Sequence, residues 1–193
     1  MVNGFATAIA AIDSQPEQML QGSQGGEAAA LHSLLFGSKR ILTSPLLLQL
    51  AKSRALVDFS QGLDIRLITR DNVALLNQVR TKTVHFAWDN PDEDLTRYFR
   101  QFLEWTSIKN PRLRRVYLLT NYGSTHEQDL YRVETLRQMG FDPYVMIYEK
   151  PTAPPITRHL QRWVNNKRLF YAIPSFSDYE PVKKLLGGDM ETR

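Results

Sequence analysis

The 193-residue sequence contains no cysteine. That absence excludes disulfides, thiolate nucleophiles, zinc–cysteine sites and cysteine-held iron–sulfur clusters, because each needs the sulfur atom itself. Long apolar runs are missing too, and nothing approaches the ~18 consecutive apolar residues of a membrane span. The mildly apolar start, MVNGFATAIAAID, lacks the basic residues of a secretory leader, so a cytoplasmic protein is expected. Residues 1–36 contain neither Lys nor Arg and carry only Asp13, Glu17 and Glu27 beside a Gln-, Gly- and Ala-rich run, QPEQMLQGSQGGEAAA. From Lys39 onward the chain is basic and regular. The change of composition divides it into a variable extension over 1–37 with a helix over 27–36, a folded domain over 38–180, and a C-terminal tail over 181–193.

What is present reads as an ordinary globular protein: 42% hydrophobic, 10% aromatic and 23% charged residues allow one sizeable core. The net charge of +4 is modest for this length and does not name a partner. Near-continuous apolar runs over 55–59 (ALVDF), 83–88 (TVHFAW), 115–120 (RVYLLT) and 144–148 (YVMIY) predict strands buried on both faces, with a weaker one over 40–42. Helices are predicted between them. Ser44-Pro45 opens one over 44–52, Val73, Leu76 and Val79 share one side of another over 71–79, and Leu95, Tyr98, Phe99, Phe102 and Leu103 form a core-facing stripe over 93–108. A fourth over 127–139 stacks Leu130, Val133, Leu136 and Met139 and stops at Gly140. Alternating strands and helices mean βαβ units, an α/β fold and a parallel sheet, either barrel-like or doubly wound. In both layouts ligands lie outside the carboxyl ends of the strands.

The polar residues after each strand are therefore the candidates for a site. The first loop gathers Gln61, Gly62, Asp64 and Arg66, although turn chemistry and a surface ion pair explain the same residues. The second begins Asp89-Asn90, with Asp92 as a candidate helix cap. The third, over 121–127, combines Asn121, Gly123, hydroxyls and a helix amino terminus, a setting for an anion or a ribose edge, with Thr125 equally a plain cap. His32, His85, His126 and His159 have no metal-ligand spacing, and His85 reads as a hydrogen-bonded core imidazole. The cations Lys109, Arg112, Arg114 and Arg115, with Arg158, Arg162, Lys167 and Arg168 near Trp163, compose a basic surface with one aromatic, while Trp163 fits better as a core partner of Ile156, Leu160 and Val164. No nucleophile elbow, phosphate loop or catalytic carboxylate pair is visible.

Four blocks, FSQGLDIRLIT, VHFAWDN, LLTNYGSTHEQDLYRVETLRQMGFDPYVMIYEKP and LQRWVNNK, in this order and spacing, resemble the later part of radical SAM domain proteins common in bacterial and prophage genomes. The resemblance covers about residues 38–179. It implies a partial parallel (β/α) barrel of four to five strands, an incomplete radical-SAM-like barrel, in which S-adenosylmethionine lies across the carboxyl ends of the strands and is cleaved reductively. The family carries a CxxxCxxC motif after its first strand that ligates a four-iron, four-sulfur cluster, and this sequence has no such motif. The resemblance thus implies a truncated or degenerate member, inactive alone, in which no cluster is expected and S-adenosylmethionine is the remaining cofactor. By position, Gln61, Asp64, Arg66, Asp89 and Asn121 would face that nucleotide; no catalytic residue and no metal ligand is expected. Gly25-Gly26-Glu27 matches a family motif in letters only, since no strand precedes it. The partner expected is a separate cysteine-bearing N-terminal part, or a second copy through the open sheet edge, and not nucleic acid or a membrane. The alternatives are a non-catalytic nucleotide- or protein-binding module and a weak nucleic-acid binder.

Overall fold

The computed structural model describes residues 44–187. The expected extension over 1–37, its helix and the weak strand over 40–42 lie outside the described residues. Helix α1 (Ser44–Ser53) leads into β1 (Val57–Leu63), a 3-10 turn (Ile65–Leu67) and α2 (Arg70–Leu76). Then follow β2 (Thr81–Ala87) with α3 (Thr96–Trp105), β3 (Arg114–Thr120) with α4 (His126–Gln138), and β4 (Asp142–Ile147) with α5 (Pro155–Asn165), α6 (Lys167–Ala172) and α7 (Glu180–Gly187). The strands form one open sheet in chain order, β1-β2-β3-β4, with every neighbouring pair parallel. The α/β fold is thus as expected, and the sheet is compatible with part of a (β/α) barrel.

Local chemistry sets the element ends. Thr69 caps α2 and Thr125 caps α4, each in a reciprocal box with Asn72 and Gln128. At the other end of α4, Gly140 has φ 75°, its N–H reaches the Arg137 carbonyl at 3.0 Å, and the Phe141 N–H reaches Leu136 at 2.8 Å. This is a Schellman ending closed by two buried apolar residues. Helix α3 is shorter than the predicted 93–108. Its first turn is delayed because Asp94 Oδ1 accepts the Thr96 N–H at 2.9 Å and the Trp88 indole N–H donates to the Glu93 carbonyl at 2.7 Å. Its end is fixed where the Asn77 side chain accepts the Ser107 N–H at 2.8 Å. Asp92 is therefore not the cap of α3; it accepts from Gln128 Nε2 at 3.3 Å.

Strands buried on both faces were expected; β2 meets this at Val84, His85 and Phe86, all buried, whereas β3 is one-sided. In β3 buried and half-buried residues alternate strictly. Four strands in chain order, joined by crossovers of one hand, place their helices on the same side of the sheet. On that side Phe86, Phe99, Phe102 and Phe141 meet edge to face, Phe86 with Phe102 and Phe99 with Phe141 both at 4.9 Å between ring centres. Truncating any of these fully enclosed rings to Ala would cost about 3–5 kcal/mol. The opposite face carries Asp58, Thr83, His85, Tyr117, Tyr144 and Met146, the last 37% exposed. Beyond β4, Trp163 packs on Phe170 and Phe176 and is fully buried, so it offers no base-stacking surface. Val182 of α7 joins the same core, inside the stretch read as a tail.

The lateral edge of β4 is covered by side chains rather than by a strand. Asn165 Oδ1 accepts the Val145 N–H at 2.9 Å while Asn165 Nδ2 donates to the Val145 carbonyl at 2.9 Å. Gln161 Nε2 shares that carbonyl at 3.1 Å, and Lys167 Nζ donates to the Pro143 carbonyl at 2.7 Å. An amide that satisfies both backbone groups of one residue blunts an edge that would otherwise template pairing. The backbone groups of Val145 are therefore already engaged and do not serve an added strand. Among the described residues no helix is long and apolar enough to cross a membrane.

Candidate functional site at the carboxyl ends of the strands

The pairing of β1 with β2 slips once between Val57↔Thr81 and Asp58↔Thr83, and again between Phe59↔Val84 and Leu63↔Phe86, where four steps of β1 span two of β2. Gly62, at φ 76°, lets the chain make this excursion. Ser60 and Gln61 stand exposed on it, and the Tyr117 hydroxyl points at the Ser60 carbonyl at 3.5 Å. What reads in sequence as the start of a loop is a bulge inside the strand, and it carries β1 on to deliver Asp64 at the rim.

Asp64 accepts the Arg66 N–H at 3.0 Å and fixes the 3-10 turn. The same carboxylate takes Arg66 Nε and Nη2, both at 2.8 Å, in the forked geometry that suits guanidinium to carboxylate. Arg66 Nη1 then reaches both Glu93 oxygens at 3.2 Å. The bonds and charge of Asp64, with Glu93 behind it, push the Arg66 guanidinium still further above its ordinary range. Around this cluster lies a cleft of about 330 Å³, walled by Leu63, Ala87 and Leu95 and edged by Asp64, Arg66, Asp89, Asn90 and Glu93.

The structure thus brings Asp64, Arg66 and Asp89 together, and it does not bring Gln61 or Asn121 into the lining of the cleft. Asp89 Oδ1 accepts the Leu119 N–H at 3.1 Å, tying the end of β2 to β3. Asn121, in the left-handed region at φ 60°, donates from Nδ2 to the Tyr148 carbonyl at 3.0 Å and ties the end of β3 to β4. Both residues do structural work at the rim whatever else they contact. The loop over 121–127 is a poor anion site, because Thr125 already occupies the Gln128 N–H and Glu127 and Asp129 place carboxylates in the first turn of α4.

Two features of the rim escaped the sequence reading. Glu93 completes the Arg66 cluster across 27 residues, a separation that no local spacing reveals. Below the rim, Asp129 and Arg132 are almost completely buried and paired at 2.5 Å. Arg132 Nη1 donates to the carbonyls of Trp88 at 2.7 Å and Asp89 at 3.2 Å, and Nη2 to Leu119 at 3.0 Å. One guanidinium therefore gathers the carboxyl ends of β2 and β3 and sets the position of Asp89. A signal existed: Asp129, Arg132, Val133 and Leu136 are the buried residues of α4 and follow the i, i+3, i+4, i+7 rhythm.

On the open face of the sheet, His85 is buried and its Nδ1 meets the Tyr117 hydroxyl at 3.2 Å, the hydrogen-bonded core imidazole expected. Burial holds its pKa below the ordinary value, against weaker opposing pulls from the Ser60 carbonyl, Asp58 and Asp142. Among the described residues no three His, Asp or Glu side chains are grouped to hold a metal ion. The donor set does not fit a four-iron cluster, which takes thiolates that this sequence lacks. No family model matches the sequence, and no curated protein and no solved structure matches the chain.

Proposed function

We propose that this chain is a radical-SAM-type partial (β/α) barrel whose carboxyl rim binds a cationic nucleoside of the S-adenosylmethionine class and which performs no reductive cleavage by itself. The observation that carries this reading is the charge of the cleft. Asp64, Asp89 and Glu93 set three carboxylates against the single guanidinium of Arg66, a formal surplus of two negative charges. Such a surface attracts a sulfonium or an ammonium group and repels phosphate. Its place outside the carboxyl ends of parallel strands, its apolar walls of Leu63, Ala87 and Leu95, and the four resembling sequence blocks support the same reading. S-adenosylmethionine would supply an activated sulfonium. The chain's own part is to accept hydrogen bonds at Asp89 and Glu93, to lock Arg66 away from the ligand through Asp64, and to exclude water along the apolar wall.

Isothermal titration tests this with three ligands. S-adenosylmethionine should bind, S-adenosylhomocysteine should bind at least several-fold more weakly because it lacks the sulfonium charge, and ATP should give no heat. Asp89→Asn retains an acceptor for the Leu119 N–H yet removes one charge, and it should weaken S-adenosylmethionine roughly tenfold, about 1.4 kcal/mol. No heat from S-adenosylmethionine, or tighter binding of ATP, would reject the assignment.

A further inference from the structure

A second opening of about 660 Å³ lies between β4 and α5, where Tyr144, Lys150, Arg158, Gln161, Arg162 and Asn165 are among the lining residues. Its chemistry is the reverse of the rim cleft. Arg158 and Arg162 are four residues apart and stand on the exposed side of α5, whose other side buries Thr157, Leu160, Trp163 and Val164. Lys150 joins them from the segment after β4. Among the described residues no carboxylate lines the opening, and the ion pairs engage other cations: Arg66, Lys82, Arg115, Arg132, Lys167 and Lys183. Lys167, adjacent in sequence, is taken by Asp142 at 2.6 Å. Three solvent-facing cations thus share one shallow groove with the half-buried ring of Tyr144.

An added β-strand is excluded as the occupant, because Asn165 and Gln161 already satisfy the Val145 backbone groups that such a strand would need. What remains is a line of cations without an ion pair among the described residues, beside an aromatic ring, the combination that holds a single strand of nucleic acid. We propose that this groove binds single-stranded nucleic acid, with phosphates on Lys150, Arg158 and Arg162 and a base against Tyr144. The proposal uses none of the rim residues, so it stands or falls independently of the nucleoside reading.

The test is fluorescence anisotropy of the full chain with a labelled oligothymidylate of about 12 nucleotides, within the usual range of site sizes. Three phosphate contacts give a log–log salt slope of about −2, so a fivefold rise in salt should weaken binding ~30-fold. Arg158→Ala combined with Arg162→Ala should reduce that slope to about −0.7, as one contact remains. Tyr144→Leu should weaken binding several-fold and leave the slope unchanged, and Arg80→Ala, exposed beside the amino end of β2, should change neither. Salt-independent or absent binding would overturn the proposal, as would a double variant that binds like the wild type. It would equally be overturned if a trinucleotide bound as tightly as the long strand and millimolar inorganic phosphate displaced both, for that is a small-anion pocket.

Discussion

Two aspartate–arginine pairs, each closed within one turn of backbone, occupy opposite environments. In Asp64–Arg66 the arginine side chain is 48% exposed, bonds two carboxylates and edges a cleft. In Asp129–Arg132 the arginine is 1% exposed and bonds one carboxylate and three backbone carbonyls, two just past the end of β2 and one in β3. The exposed pair is screened by water, so its Coulomb energy is small and its value lies in shaping local charge. The buried pair has surrendered its hydration, so every acceptor around Arg132 is required and none can be removed cheaply. The same residue types therefore make a replaceable surface lock in one place and a fixed joint in the other.

Arg132→Met breaks this contrast hardest. It strands Asp129 in the core and leaves three carbonyls unmet, and urea denaturation should show a loss of about 3–5 kcal/mol at an unchanged m-value. A loss below ~1 kcal/mol would mean that the joint is not used. Arg66→Met should change stability by less than about 1 kcal/mol. By releasing Asp64 and Glu93 it should tighten binding of S-adenosylmethionine, a shift in affinity without a shift in melting that calorimetry can separate.

His85 sharpens the comparison from a third side, as a buried ionisable group that has neither a carboxylate within bonding distance nor a fork of carbonyls. Its pKa is lowered on folding, so below about 6.5 the unfolded chain binds the proton more readily and stability falls with decreasing pH. Melting between neutral and mildly acid pH should show this as a shallow decline. His85→Phe should flatten it, and an unchanged slope would point to other groups.

The strands were legible because VHFAW and YVMIY can do little else than lie in a sheet, the first helix because Ser44-Pro45 opens it, and the next three because their apolar residues recur at the proper interval. The helices beyond β4 were read only through the partners of Trp163, since the chain there mixes apolar and basic residues without a clear boundary. At the site, Asp64, Arg66 and Asp89 could be picked out because the residues after parallel strands point outward whatever the fold's details. Arg132 could not, since a charged residue in a helix is ordinarily solvated and only the packed tertiary structure reveals which are not. Glu93 was lost for a related reason: it was counted into a helix that begins three residues later.

The amide of Asn165 gives the sheet a polarity of assembly. By imitating a neighbouring residue at Val145, it ends the row of staves on the β4 side. Among the described residues the free lateral edge of the sheet is that of β1. On the barrel reading proposed above, a completing strand would meet the sheet beside β1, whether it came from the same polypeptide or from another.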